Sequence, residues 1–185
     1  MTTDNRGNVD LFHARRSVRR FLDKSIEPEV MGEILEAARV APSWANMQCW
    51  ELVVVRDAEL KKKLSAVLSP KNPATLCTEN APAVIAVCGK PRKSGYYKDA
   101  LVTRYGHWFL YDLGLISANI CLKACELGLG TVVVGYFDHA AAEKILGVPE
   151  GIELVSLIPV GYPGHESSSP PRRELSQFVH YDRFR

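Results

Sequence analysis

A mixed α+β domain is the fold class the sequence predicts, and three observations carry it. Apolar runs of strand length, ELVVVR at 51–56, AVIAVC at 83–88, TVVVG at 131–135 and the stretch 153–161, are few, short and separated by helical segments. Strand and helix do not alternate strictly and no internal repeat is visible, which favours a mixed α+β layer over a doubly wound sheet. A long apolar helix over 105–127 dominates the second half. Periodicity alone leaves the strand order open. With 185 residues, 46% of them hydrophobic and 24% charged, the chain suits one domain with a real core. That single domain is expected over 1–185, with a compact part at 10–164 and a docked C-terminal extension at 165–185.

Taken in order, residues 1–9 read as a loose leader. Residues 10–20 open helically and then carry Arg15, Arg16, Arg19 and Arg20. If that helix continues, Arg15 and Arg19 share a face with Arg16 beside it. A helix follows over 28–40, with Pro28 at an early helical position and Ser25 a candidate cap one turn before it. Val30, Ile34, Ala37, Ala38 and Ala41 share one face, and Pro42 argues for termination. After the first strand, a charged helix over 58–68 turns Leu60, Leu64, Val67 and Leu68 inward. Residues 69–80 read as a loop with a short helix, and KPRKSGYYKD from 90 is basic and turn-rich. Along the long helix Phe109, Leu113, Ile116, Ile120, Ala124 and Leu127 form one face, which Leu110, Cys121 and Leu122 widen. So little polar surface remains that this helix is expected at the centre of the fold or in a subunit interface. A helix at 139–146 precedes the last strand, and GYPGHESSSPPRRE makes a turn-rich exit. Phe178, Tyr181 and Phe184 predict that the tail docks.

Several function classes score poorly. A net charge of +2, from 23 basic and 21 acidic residues, is too balanced to argue for nucleic acid, and the arginines are not interleaved with aromatic rings. No apolar stretch reaches membrane-spanning length, and the opening residues carry no signal-peptide core. Five cysteines, Cys49, Cys77, Cys88, Cys121 and Cys125, make an odd count that speaks against a disulfide framework and for a reducing, cytoplasmic setting. Cys121 and Cys125 face the same way on an apolar helix and read as buried thiols, and the histidines form no familiar ligand pair. No G-x-S-x-G or paired acid/base signal appears. Asp112 and Glu126 are possible charge partners, or Asp112 is bonded locally on its helix face.

Three stretches have two readings each. Guanidinium groups with the Ser17 hydroxyl can converge on one phosphate, or form a solvated basic surface. APSWANMQCW at 41–50 is either a connection that buries Trp50 or the wall of a site for a planar, partly polar ligand. GLGTVVVGYFD at 128–138 runs from helix to strand, the reverse of a dinucleotide fingerprint, yet Gly135 can admit a flat ring close to the backbone. Cys49 lies beside the candidate wall, but nothing supplies a base for it.

Four stretches in chain order resemble the flavin-dependent nitroreductase family: RRSVRRF at 15–21, AARVAPSWANMQCWELVVV at 37–55, ACELGLGTVVVGYFD at 124–138, and PRREL with FVHYDRF near the end. The resemblance spans about residues 11–184. It implies a mixed, mainly antiparallel sheet packed with helices, a homodimer with the long central helix at its interface, and FMN between the subunits. It implies further that Arg15, Arg16, Ser17 and Arg19 hold the phosphate and ribityl end, with Arg172 closing on the phosphate. Ser43 and Asn46 would come from the partner subunit, with Pro42 shaping that wall. Gly135 and Tyr136 would edge the ring, and Asn72 would meet its pyrimidine side. The implied reaction moves hydride from NAD(P)H, either NADH or NADPH, to the flavin and then to a nitroaromatic, quinone or similar small acceptor, by ping-pong turnover and without a protein nucleophile. Dehalogenation or heterocycle oxidation on the same scaffold, and a non-enzymatic FMN-binding module, are the alternatives. The chain departs from the family pattern at Cys49, usually proline, at Pro170, often lysine with Arg173 a candidate substitute, and at bulky Trp44. Residues 89–104 leave limited room for a covering segment.

Overall fold

The structure, a computed structural model, describes residues 10–184, so the leader expected over 1–9 lies outside the described residues. The elements are, in order, α1 (Leu11–Ala14), α2 (Pro28–Arg39), β1 (Trp50–Val55), α3 (Ala58–Ala66), α4 (Thr75–Asn80), β2 (Ala83–Gly89), β3 (Tyr96–Tyr97), β4 (Ala100–Leu101), α5 (Phe109–Glu126), β5 (Gly130–Thr131), α6 (His139–Leu146) and β6 (Glu153–Gly161). β1, β2, β6 and β5 form one sheet in that order, every pair antiparallel. β3 and β4 make a separate short hairpin.

β2 explains why the sheet is the middle layer. All seven of its residues are buried, and they alternate between two cores. Ala83, Ile85 and Val87 face Ile34 and Ala38 of α2 and Phe109, Leu113, Ile116 and Ile120 of α5. Val84, Ala86 and Cys88 face Leu64 of α3, Cys77 of α4 and Ala142 of α6. Helices therefore cover both sides of an antiparallel sheet, the mixed α+β class the sequence predicts.

Four local expectations are corrected. The opening helix stops at Ala14, and the arginine segment beyond it is extended: Ser17 bridges Thr131 in parallel, and the Val18 N–H donates to the Thr131 carbonyl at 2.9 Å. Ser25 does not cap α2. Glu27 is its N-cap without a side-chain cap bond, its carboxylate accepting instead from the Tyr162 hydroxyl at 2.7 Å. The long helix starts at Phe109, four residues later than 105. The strand expected over 131–135 pairs regularly only through Thr131 and again at Val134 with Leu157. Between them Pro159 has no N–H to return to Val132, so the ladder lapses there.

The exposed side of α5 carries Leu110, Tyr111, Gly114 and Ala118. In the C-terminal extension a short 3-10 turn, Leu175–Gln177, is closed by reciprocal bonds between Glu174 and Gln177. Phe178, Tyr181 and Phe184 are 47%, 81% and 89% exposed, so these rings do not seat the tail on its own chain. Among the described residues no helix is long and apolar enough to cross a membrane. All five cysteines are free.

Candidate functional site

Extended backbone decides which arginines can act together. Beyond Ala14 the segment runs alongside Thr131, and its side chains divide between two cavities: Arg15, Arg16 and Val18 border one, Ser17 and Arg19 the other. Val18 is buried against Gly130. Arg16 is held by its own backbone: its guanidinium donates to the carbonyls of His13 and, at 3.0 Å, Arg15. Ser17 and Arg19 line a cavity of about 820 Å³ with Pro73, Leu76, Cys77 and the exit residues around His165 and Ser167. Arg15 and Arg16 line a second cavity of about 390 Å³ that shares Glu166 and Ser167 with the first. Among the described residues, none of Arg15, Arg16, Arg19 and Arg20 has a carboxylate within ion-pair distance. Such a cluster is an electrostatic seat for an anion.

Two predicted residues that are 64 apart in the chain do meet. The Asn72 amide donates to the Tyr136 carbonyl at 3.0 Å, while its oxygen accepts from the Ala74 N–H at 2.9 Å. Ser69 N–H reaches the same Tyr136 carbonyl at 3.3 Å. Tyr136 itself is exposed, and no heavy atom lies within 4 Å of where a Cβ on Gly135 would stand. Gly135 therefore presents open backbone. Behind it, His139 stacks on Phe137 with ring centroids 4.0 Å apart, and its two nitrogens face the carbonyls of Leu154 (2.8 Å) and Gly135 (3.3 Å). Gly135 and Arg15 both line a third cavity, of about 680 Å³, along the apolar side of α5 with Leu110, Gly114 and Ala118.

The candidate wall is a separate construction. Pro42 is exposed, and Ser43 leads into a 3-10 turn over Trp44–Asn46. Three non-glycine residues there have left-handed backbone: Ala45 (φ 46°), Asn46 (φ 54°) and Gln48 (φ 46°). The Ser43 hydroxyl accepts from the Gln48 N–H at 2.9 Å, and the Gln48 amide donates to the Asn46 side chain at 3.1 Å. Behind the turn lies Asp112 of α5, buried and bonded to the Trp44 N–H at 3.1 Å. Cys49 is fully buried, its thiol 3.6 Å from Asp112. Burial pushes that thiol's pKa up and the Asp112 charge adds to the rise, against an opposing hydrogen bond from Ser94. Cys49 is thus a buried, protonated donor rather than a nucleophile.

None of the three cavities beside the arginine segment includes Pro42, Ser43, Asn46 or Arg172. Arg172 is exposed and donates to the Pro170 carbonyl at 3.1 Å, while Arg173 lies over the Phe178 ring. One chain therefore builds the arginine side and the wall in different places. Sequence reasoning passed over His139 and Ser94 and left Asp112 as either a charge partner or a locally bonded helix-face residue. Asp112 had a signal: it sits in register with Phe109, Leu113 and Ile116 on the buried stripe, where a carboxylate needs a reason.

Comparison with known proteins gives this arrangement its family. The profile of the Nitroreductase family matches residues 13–162. A provisionally named NADH dehydrogenase/NAD(P)H nitroreductase of Archaeoglobus fulgidus is 36% identical over 162 residues, covering 85% of this chain and 86% of that one. Human iodotyrosine deiodinase 1 is 26% identical, over 92% of this chain and 66% of its own length. Among solved structures, an FMN-dependent nitroreductase of Clostridium difficile R20291 superposes with a TM-score of 0.80 at 25% identity, covering 94% of this chain and 98% of that one. The antiparallel sheet between helix layers, the ordered motifs and these similarities agree, and the chain belongs to the nitroreductase family of NAD(P)H-dependent flavin oxidoreductases.

Proposed function

We propose that two copies of this chain bind FMN between them and use NAD(P)H to reduce a small oxidised acceptor, a nitroaromatic or a quinone. One observation supports the reading: the arginine-lined cavities and the 42–48 turn lie apart on one chain. A second copy packed on the exposed apolar side of α5 supplies the missing half. Arg15, Arg16, Ser17 and Arg19 of one chain then hold the phosphate and ribityl end. Pro42, Ser43 and Asn46 of the other chain form the wall. Asn72 has one amide N–H left for the pyrimidine side, since its other contacts go to Tyr136 and Ala74. Gly135 leaves its backbone open at the ring edge, beside exposed Tyr136.

The chemistry FMN supplies when bound is hydride acceptance from NADH or NADPH and delivery to the acceptor at the same face, so turnover is ping-pong. The protein's part is to bind, orient and stabilise charge. Basic side chains or N–H donors at the ring's polar edge would stabilise the negative charge that builds there. The extension over 165–185 docks on the second copy through Phe178, Tyr181 and Phe184, which their exposure on one chain supports, and brings Arg172 to the phosphate. Five free thiols fit a cytoplasmic setting.

Purified protein should be yellow, hold about one FMN per chain through gel filtration, and bleach anaerobically with NADH or NADPH. Colourless protein that takes up no added FMN defeats the proposal, and FMN binding without bleaching identifies a non-enzymatic module. The similarity to iodotyrosine deiodinase supports a second reading, reductive dehalogenation. Stopped-flow oxidation of the reduced protein by nitroaromatic, quinone and haloaromatic acceptors separates the two.

A further inference from the structure

Asp112 is 1% exposed, on a helix stripe that is otherwise apolar. Its carboxylate accepts from three donors in two parts of the chain: the Trp44 N–H at 3.1 Å and the Cys49 thiol at 3.6 Å at the two ends of one turn, and the Ser94 hydroxyl at 2.5 Å. Among the described residues no lysine, arginine or histidine pairs with it. An acid in that stripe is expensive to bury, and helix packing alone would favour an apolar residue.

Its donors share one property: they surround the wall. Trp44 and Cys49 bracket residues 45–48, and Ser94 opens the segment that leads into the β3–β4 hairpin. Between the two anchors lie the left-handed Ala45, Asn46 and Gln48. Alanine and glutamine reach that conformation only when surroundings hold them there. Bonds inside the turn join Ser43, Asn46 and Gln48 to one another, so they shape it without fastening it to the core. Trp44 is the first residue of the 3-10 turn, and its N–H has no partner within the turn.

We propose that Asp112 is a positioning residue that, with Ser94, pins the 43–48 turn in its left-handed form and so sets where Ser43 and Asn46 meet the partner-bound FMN. This rests on the flavin reading above. It also explains cysteine in place of the family's usual proline at 49. Proline has no thiol, and the side chain at 49 here is one of the carboxylate's donors.

The test compares the parent with Asp112→Asn, Ser94→Ala and Asp112→Asn/Ala45→Gly. Amide hydrogen exchange over 43–50 is measured on cofactor-free protein, with β2 amides as control, and FMN affinity is measured by fluorescence titration. Asp112→Asn should speed exchange over 43–50 and weaken FMN binding, each about tenfold or more, while β2 stays protected. Ser94→Ala should do the same more weakly, and gives the result should Asp112→Asn fail to fold. Adding Ala45→Gly should recover most of the FMN affinity, because glycine adopts the turn without strain. Unchanged exchange over 43–50, an equal rise in β2, unchanged FMN affinity, or no recovery with glycine each overturns the proposal. The parent's own FMN binding tests the flavin reading separately, and exchange in the cofactor-free protein reports on the anchor whether or not that reading survives.

Discussion

Arg16 gives its donors to the carbonyls of His13 and Arg15, while among the described residues Arg15 makes no such bond and Arg19 makes only one of 3.4 Å, to the Ser17 carbonyl. Identical side chains one and three residues apart therefore have different surroundings. Arg15→Ala and Arg19→Ala should each weaken FMN binding by about 2–5 kcal/mol, the range for losing a charge-assisted contact. Arg16→Ala should cost less affinity and more local order over residues 13–16. Equal losses in all three, by titration, would remove the distinction. The cysteines carry a second residue-level expectation. Burial pushes the Cys77 and Cys88 thiols up to about 11, from an ordinary 9.0. A raised folded pKa means the folded state prefers the neutral thiol, so this contribution is full below 9.0 and is lost as pH rises towards about 11. Melting temperature, measured under reductant, should fall across that window, and less steeply in Cys88→Ala.

At the scale of elements, the arginine segment is placed by its contact with β5. A Cβ on Gly130 would stand 2.4 Å from a methyl of Val18, a stiff β-branched neighbour. Gly130→Ala should cost roughly 1–3 kcal/mol in denaturant unfolding and weaken FMN binding as the segment shifts. The central helix sets the core in the same way. Ile116 is fully buried between β2 and α2, so Ile116→Ala should cost about 2–5 kcal/mol. Much at this scale was legible: the inward faces of α2 and α5 follow the 3.6-residue period, and β2 reads as an unbroken apolar run because both its faces are covered. What was not legible is instructive. The opening helix seemed free to continue through the arginines until Val18 found a seat on Gly130, and the 131–135 strand lapsed because of a proline 27 residues beyond Val132.

For the whole molecule, the exposed side of α5 is the feature a single chain leaves unfinished. Leu110, Gly114 and Ala118 recur every fourth position, and the two small residues let a second helix approach closely. Sedimentation should show a species of twice the 20.6 kDa chain mass. Ala118→Arg should convert it to monomer and lose FMN in the same step, because within one chain the arginine side and the wall do not meet. A monomeric variant that keeps FMN would contradict a shared site.

By itself the sequence determined where most strands and helices lie, which of their faces turn inward, and which residue types could grip a phosphate or line a planar ligand. All of these follow from local period and side-chain chemistry. Only the tertiary structure decided which arginines stand together, that Asn72 latches onto Tyr136, and that Asp112 fastens a turn 68 residues before it. Hydrophobic period records how a segment is buried but carries no information about which distant donor meets a given acceptor. That pairing exists only once the sheet has brought the segments side by side.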